Sequence, residues 1–346
     1  MRPAGDRLSS LLAFDFTSFD YRDAIRGSVV TAVVASIALI QGDPKAAIPL
    51  SIGAVFAAVS EAGQPFGARW RTMLTTTMAL MVAAFLGSML SEAVWLAIVV
   101  TAPVAFICGL AGSLGKRAGV TGLLALVVFS IYVGIPVPMA DATSTAALIF
   151  TGGVVQTVAT IAMGMIRGQH REAVAKSPTV SVREGIRNPI FIAHASRLMV
   201  VMTIATAISE NFDIPHPYWL PMSVAWMSKP DHDGTVDRVT HRLTGTVIGL
   251  LLTAAIALAF PLSEGGFLVL SLVGAAVAIA FIWVNYAVAV AGVTTWVIAL
   301  FGMVGDPVVQ TVGIRLLATF AAAILVLLAA LTLTGHNPQK RKQSQD

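Results

Sequence analysis

A few basic residues set the chemistry open to this chain. Arg238, His241 and Arg242 open one long apolar stretch, and Arg315 stands inside another. On a helix Arg238, Arg242, Gly245 and Gly249 fall at i, i+4, i+7 and i+11, so they share one face. That face has cations at its mouth and no bulk beyond them. Two readings of it stay open: a positively charged anchor followed by a small-residue packing face, or one wall of an anion pathway. Arg26 and Arg197, the latter with His194 one turn before it, also fall inside apolar stretches. An arginine in hydrocarbon costs at least ~2.5 kcal/mol on insertion scales, so it faces protein or a watery cavity. Arg26 can reach the membrane surface or pair with Asp23 at i−3. Arg315 has no acid nearby in sequence, and its stripe carries the small Ala318, Thr319 and Ala322.

The acids complement this pattern. No Asp or Glu falls near the middle of an apolar stretch; Glu61 and Glu210 each close one. Proton-coupled pumps use carboxylates or histidines inside the membrane, and only His194, His241 and Glu61 are candidates here. A cationic interior favours anions over cations as cargo. The expected substrate contacts are therefore Arg242, Arg238, Arg315, Arg197, His241 and Arg71. Asp231, His232, Asp233, Asp237 and His241 can be drawn as a metal site. The preferred reading is a solvated helix start, where Asp237 favours the positive N-terminus, and no metal or cofactor is expected. GSLGK at 112–116 lacks the spacing and the Ser or Thr of a phosphate loop. Cys108 is the one cysteine, so no intrachain disulfide can form. Trp95, Trp219, Trp283 and Tyr286 lie near the ends of apolar stretches and read first as interface-belt residues, second as stackers for an aromatic substrate.

The elements that must carry these residues follow from composition. Apolar residues make up 56% of the chain and charged residues 12%. A soluble domain carries about a quarter charged residues, so the excess apolar surface faces something other than water. The fold class expected is all-α and polytopic. Twelve stretches approach the roughly 20 apolar residues of a span: 24–41, 46–60, 72–90, 94–111, 119–134, 143–166, 190–210, 217–229, 244–262, 266–284, 286–303 and 310–333. Two of them, 46–60 and 217–229, are short and carry Pro49 and Pro221. Short or Pro-interrupted segments that correspond between two halves point to a transporter's substrate site; a kinked or half-inserted helix is the alternative. Residues 8–19 read as a short interfacial helix.

An internal duplication relates the halves. Shifted by 172 residues, Pro221-Met222-Ser223 lies on Pro49-Leu50-Ser51; shifted by 171, Arg242 lies on Arg71 and Arg197 on Arg26. With both ends inside, eighteen of the twenty-two Lys and Arg fall in inner segments. The outer loops then hold Lys45 and seven acids, the bias expected of a cytoplasmic basic face. That bias also accounts for the net charge of +4, so no nucleic-acid partner is inferred. The organisation expected is a cytoplasmic segment 1–22, a six-span repeat 23–167, a linker 168–189, a second repeat in the same orientation 190–334, and a cytoplasmic tail 335–346.

YWLPMSV, KP and HRLTGTVIG, between residues 218 and 249, resemble the signature of the fusaric-acid-resistance and aromatic-acid-exporter family. GARWR near 67–71 resembles it more loosely. The plant aluminium-activated malate transporters look like distant relatives. The resemblance implies efflux of aromatic carboxylates or related organic anions across a bacterial inner membrane, with the basic helix start carried over onto Arg238, Arg242, Gly245 and Gly249. The chain lacks the large cytosolic domains of the bigger exporters. The expected function is a gradient-driven exporter of organic anions, not an enzyme, with the lipid bilayer and the anion as partners and oligomers allowed. The alternatives are a passive anion channel and, from another class, a non-transporting scaffold or an intramembrane enzyme.

Overall fold

A computed structural model describes residues 11–19, 21–61, 66–169, 182–212 and 214–331. In a water-free surround every backbone N–H and C=O must be paired within its own segment, so long apolar runs become helices. Twelve helices of nine residues or more result among the described residues. They are α1 (Tyr21–Ile40), α2 (Ala47–Ser60), α3 (Phe66–Leu90), α4 (Val94–Leu110), α5 (Lys116–Val133), α6 (Ala142–Ile166), α7 (Pro189–Asn211), α8 (Trp219–Met227), α9 (His232–Ala259), α10 (Glu264–Phe281), α11 (Tyr286–Met303) and α12 (Val308–Leu331). Ten are long and apolar enough to cross a membrane; the two others are α2 and α8, at 14 and 9 residues.

Each expected stretch coincides with a helix, with one sizeable difference. α9 begins at His232 rather than near 244, because Asp231 caps it by accepting the Gly234 N–H at 2.7 Å. The charged first three turns escape a hydropathy reading. The cap also gives the acidic loop a structural role in starting that helix. Of the stretch 8–19 expected as an interfacial helix, residues 8–10 lie outside the described residues, Leu11 is helical, and Phe16–Ser18 form a 3₁₀ turn. Asn285 holds that segment by donating its side-chain amide to the Leu11 and Ala13 carbonyls. Most of the linker, residues 170–181, and the tail from 332 lie outside the described residues.

The helices are amphipathic in the sense opposite to a soluble bundle. In α12 Arg315, Thr319, Ala322, Ala323, Val326 and Ala330 are buried. Leu317, Phe320, Ile324, Leu328 and Leu331 of the same helix are exposed. The exposed apolar stripe is what lipid demands, and the small buried residues let helices meet closely. α2 and α6 meet backbone to backbone: a Cβ on Gly53 would lie 2.0 Å from the Ile149 carbonyl oxygen, and one on Gly152 would lie 2.1 Å from that of Leu50.

One packing plan occurs twice. In the first six helices α1 meets α2 and α6, α2 meets α3 and α6, α3 meets α5 and α6, and α4 meets α5. The second six repeat every pair: α7 with α8 and α12, α8 with α9 and α12, α9 with α11 and α12, α10 with α11. The sets join reciprocally, α4 against α7 and α10 against α1, with α5 on α8 as a further contact. The short helices form the centre. All nine residues of α8 and thirteen of the fourteen in α2 are buried. Phe56 of α2 meets Trp226 of α8 and Trp296 of α11 edge-on, with ring centroids 6.3 and 6.2 Å apart.

Candidate functional site

The ends of α4, α8 and α10 and the starts of α5, α9 and α11 meet on one face of the molecule. Lys116 and Arg117 open α5, Lys229 lies in the α8–α9 turn, and Arg238 and Arg242 follow in α9, so this is the basic face. A cavity of about 430 Å³ opens between the two sets of helices. Val59 of α2, Trp226 at the end of α8, Arg238 in α9 and His194 in α7 all line it. Lys116 at the start of α5 and Lys229 in the turn between α8 and α9 complete its charged wall. Three cations thus face the space, while no residue lining it is an Asp or Glu. Four aromatic rings, of Phe191, Trp226, Trp283 and Tyr286, share the lining.

Rings hold several of the cations in place of carboxylates. The Arg238 guanidinium lies 3.5 Å from the centroid of Tyr286, and Lys116 Nζ lies 4.4 Å from that of Trp283. Deeper along α9, Arg242 lies 5.6 Å from the Trp226 ring and is 1% exposed. One step further on, Arg315 lies 5.2 Å from the Trp219 ring and is 0% exposed. Trp219 and Trp226 are seven residues apart on α8, so both arginines stand against one stripe of it. A desolvated cation over a ring gains about 2 kcal/mol, while burying a guanidinium costs several kcal/mol. The rings alone leave these charges short of compensation. An anion among them would supply it.

The expected contacts can now be placed. Arg238 lines the cavity, and Arg242 continues from it on the same face of α9, buried rather than partly solvated. Arg197 donates to the Lys229 carbonyl and lies 3.1 Å from His194 Nδ1, so it shapes the turn bearing Lys229. His241 is half-buried on α9, outside the cavity lining. Arg71 is exposed and lines a different cleft, of about 560 Å³, between α3, α4 and α5; the structure does not bring it to Arg242. Gly245 and Gly249 serve packing: a Cβ on either would lie 2.3 and 2.6 Å from the Ala287 and Ala291 carbonyl oxygens of α11.

Arg26, the first-half counterpart of Arg197, is neutralised. It pairs with Asp23 at 2.6 Å and with Glu61, which closes α2, while Arg69 reaches Asp23 at 2.7 Å. The i−3 pairing open to Arg26 in the sequence is therefore the one adopted.

Lys116, Lys229 and Trp226 are lining residues that the sequence reading did not select, and Trp283 entered it first as a belt residue and only second as an aromatic stacker. A signal for two of them was present. The break at GSLGKRAG and the break before Asn285-Tyr286 occupy corresponding places in the two halves, and the structure sets Lys116 of one against Trp283 of the other. Trp283 also donates its indole N–H to the Val59 carbonyl at 3.2 Å. Lys229 ends the short Pro221 segment, the other available pointer. Of the four expected belt aromatics, Trp95 is 76% exposed, while Trp219 and Tyr286 are buried.

The opposite face closes over rings. His216 stacks on Trp219 with centroids 4.4 Å apart and leans on Phe301 at 5.0 Å; Tyr218 packs beside them. His216 is the one non-glycine residue with positive φ, +55°, among the described residues.

Residues 204–329 match the profile of the fusaric acid resistance protein-like family. The chain is 31% identical over 103 residues to the uncharacterized protein YhfK of Escherichia coli K12, an alignment covering 30% of this chain and 15% of that protein. It is 27% identical over 113 residues to the inner membrane protein YccS of the same organism, covering 33% and 16%. An uncharacterized protein of Haemophilus influenzae is 27% identical over 140 residues, covering 40% and 19%. The matched portion therefore spans less than a fifth of each of these relatives. No solved structure matches. The α7–α12 set of membrane-length helices is thus the part of the chain similar to the fusaric acid resistance protein-like family.

Proposed function

We propose that this chain forms the membrane pathway of an exporter of small organic anions, with aromatic carboxylates as the favoured class. The observation that carries the reading is the basic-face cavity, where three cations and four aromatic rings line a space with no acid among its lining residues. A carboxylate there would gain charge-assisted bonds from Lys116, Lys229 or Arg238, and its ring would stack on Trp226 or Trp283. The basic face is assigned to the cytoplasm of a bacterial inner membrane, in keeping with the distribution of Lys and Arg and with the similarity to the inner membrane protein YccS. The two six-helix sets are taken as parallel repeats about an axis along the membrane normal, as their matching packing pairs suggest.

The ring cluster of His216, Trp219 and Phe301 favours a carrier over a continuous channel, since it closes the face opposite the cavity. A scaffold would have no use for buried arginines without carboxylate or carbonyl partners, and Arg315 is one. The test is counterflow in proteoliposomes loaded with benzoate, salicylate, malate or phosphate. Exchange of the aromatic acids ahead of the others is expected. Equal or absent exchange of all four would remove the reading.

A further inference from the structure

Arg315 is the most exceptional charge in the molecule. Its side chain is fully enclosed, and Nε, Nη1 and Nη2 all lack a hydrogen-bond partner. The ionisable groups within its electrostatic reach are Arg242, Tyr218, Tyr286 and His216, the last of which lies 3.6 Å from Asp306. None is a carboxylate, one repels it, and phenols are neutral at ordinary pH. Arg315 is not among the residues lining the basic-face cavity. It lies behind Trp219, on the side closed by His216 and Phe301. His216 is held there in a left-handed backbone conformation that a non-glycine residue rarely adopts. Strain of that kind persists where the surrounding structure imposes it, and it collects at switch regions.

We propose that Arg315 is a second anion-binding group, separate from the basic-face cavity, holding one monovalent anion against Trp219. The His216–Trp219–Phe301 rings form the cover that shuts this site from the face opposite the cavity. The chemistry required is a single negative charge with in-plane acceptors for the guanidinium fork, which a carboxylate supplies and a halide supplies in part. Among the described residues the guanidinium fork finds no acceptor. The site is independent of the export reading, because binding there needs no gradient and no net transport.

The experiment follows Trp219 fluorescence in the full-length detergent-solubilised protein, as the difference between the wild type and Trp219→Phe. Iodide probes the halide source and benzoate the carboxylate source, each against gluconate at equal ionic strength. In the wild type the Trp219 signal should change saturably with both probes, benzoate acting at the lower concentration. Arg315→Gln should weaken both responses by roughly tenfold or more, with Arg315→Lys intermediate. Arg238→Gln, which removes a cavity cation, should weaken benzoate exchange in liposomes and leave the Trp219 response to iodide in place. Loss of exchange with a normal Trp219 response would count against the cavity reading alone. An unchanged response in folded Arg315→Gln overturns the Arg315 assignment. If that variant does not fold, the wild-type curve decides: a linear, purely collisional dependence on iodide overturns it equally.

Discussion

The two halves share a packing plan and differ in charge. In the first, Arg26 is tied to Asp23 and Glu61, and Arg69 to Asp23, so the basic end of the bundle is internally balanced. In the second, Arg197 bonds a carbonyl and a histidine, while Arg238, Arg242 and Arg315 rest on aromatic rings. The packing plan is shared while the electrostatics differ. In the first half Arg26 and Arg69 are held by carboxylates and Lys116 faces the cavity; in the second, Arg238, Arg242 and Arg315 rest on rings. Symmetry of helices does not imply symmetry of function; the location of the carboxylates decides.

That contrast is open to direct attack. The largest effect should come from Arg26→Ala, which strands Glu61 in a buried site while Asp23 keeps Arg69, and should cost about 3–5 kcal/mol of stability. A thermal melt unchanged by that substitution would mean the first half is not internally balanced. The corresponding change in the second half should have the opposite sign. Arg242→Met removes a buried charge that has no carboxylate partner, so the anion-free melting temperature should hold or rise while anion exchange falls by roughly 10- to 100-fold. A variant that loses stability in parallel with exchange would make Arg242 a structural residue like Arg26.

A smaller effect is expected from pH. Burial is the main cause that pushes Lys229, in the turn after α8, down to about 8, with Arg238 adding repulsion. Its ammonium is the charged form, so raising the pH through that value removes a cation from the cavity. Benzoate affinity should fall by up to about tenfold between pH 7 and 9, and Lys229→Arg, which stays charged, should flatten the curve. A profile equally steep in Lys229→Arg would point to another group. The smallest effect is reserved for Arg71→Gln. Exposed and in a separate cleft, Arg71 should change exchange by less than about twofold; a loss matching that of Arg242→Met would restore the symmetry that the charges argue against.

Much of this frame was readable in the chain. Hydropathy located all twelve helices, because lipid imposes one requirement on every span. The corresponding Pro49 and Pro221 segments proved to be the buried centre, since only short helices fit between the longer ones. The charged start of α9 was lost because its cap and first turns carry polar residues that a hydropathy window counts as loop. Arg71 was misplaced for a different reason. It was aligned with Arg242 by sequence offset, but sequence register does not tell which neighbour a helix face meets. Lys116 and Trp283 form their contact across the joint between the halves, where the distance in the chain is greatest and local pattern says least.

The tie between Asn285 and the N-terminal segment has a consequence in time. Its amide donates to Leu11, 274 residues earlier in the chain. At synthesis rates of about 5–20 residues per second, the N-terminal segment waits roughly 14–55 s for that partner to emerge. Trp283, two residues before it, reaches Val59 across the joint in the same interval. The basic-face cavity therefore gains its last wall only when α10 and the start of α11 have been delivered. A nascent or truncated chain lacking them offers the bilayer its apolar helices without an assembled charged recess, and a half-built protein would not leak anions.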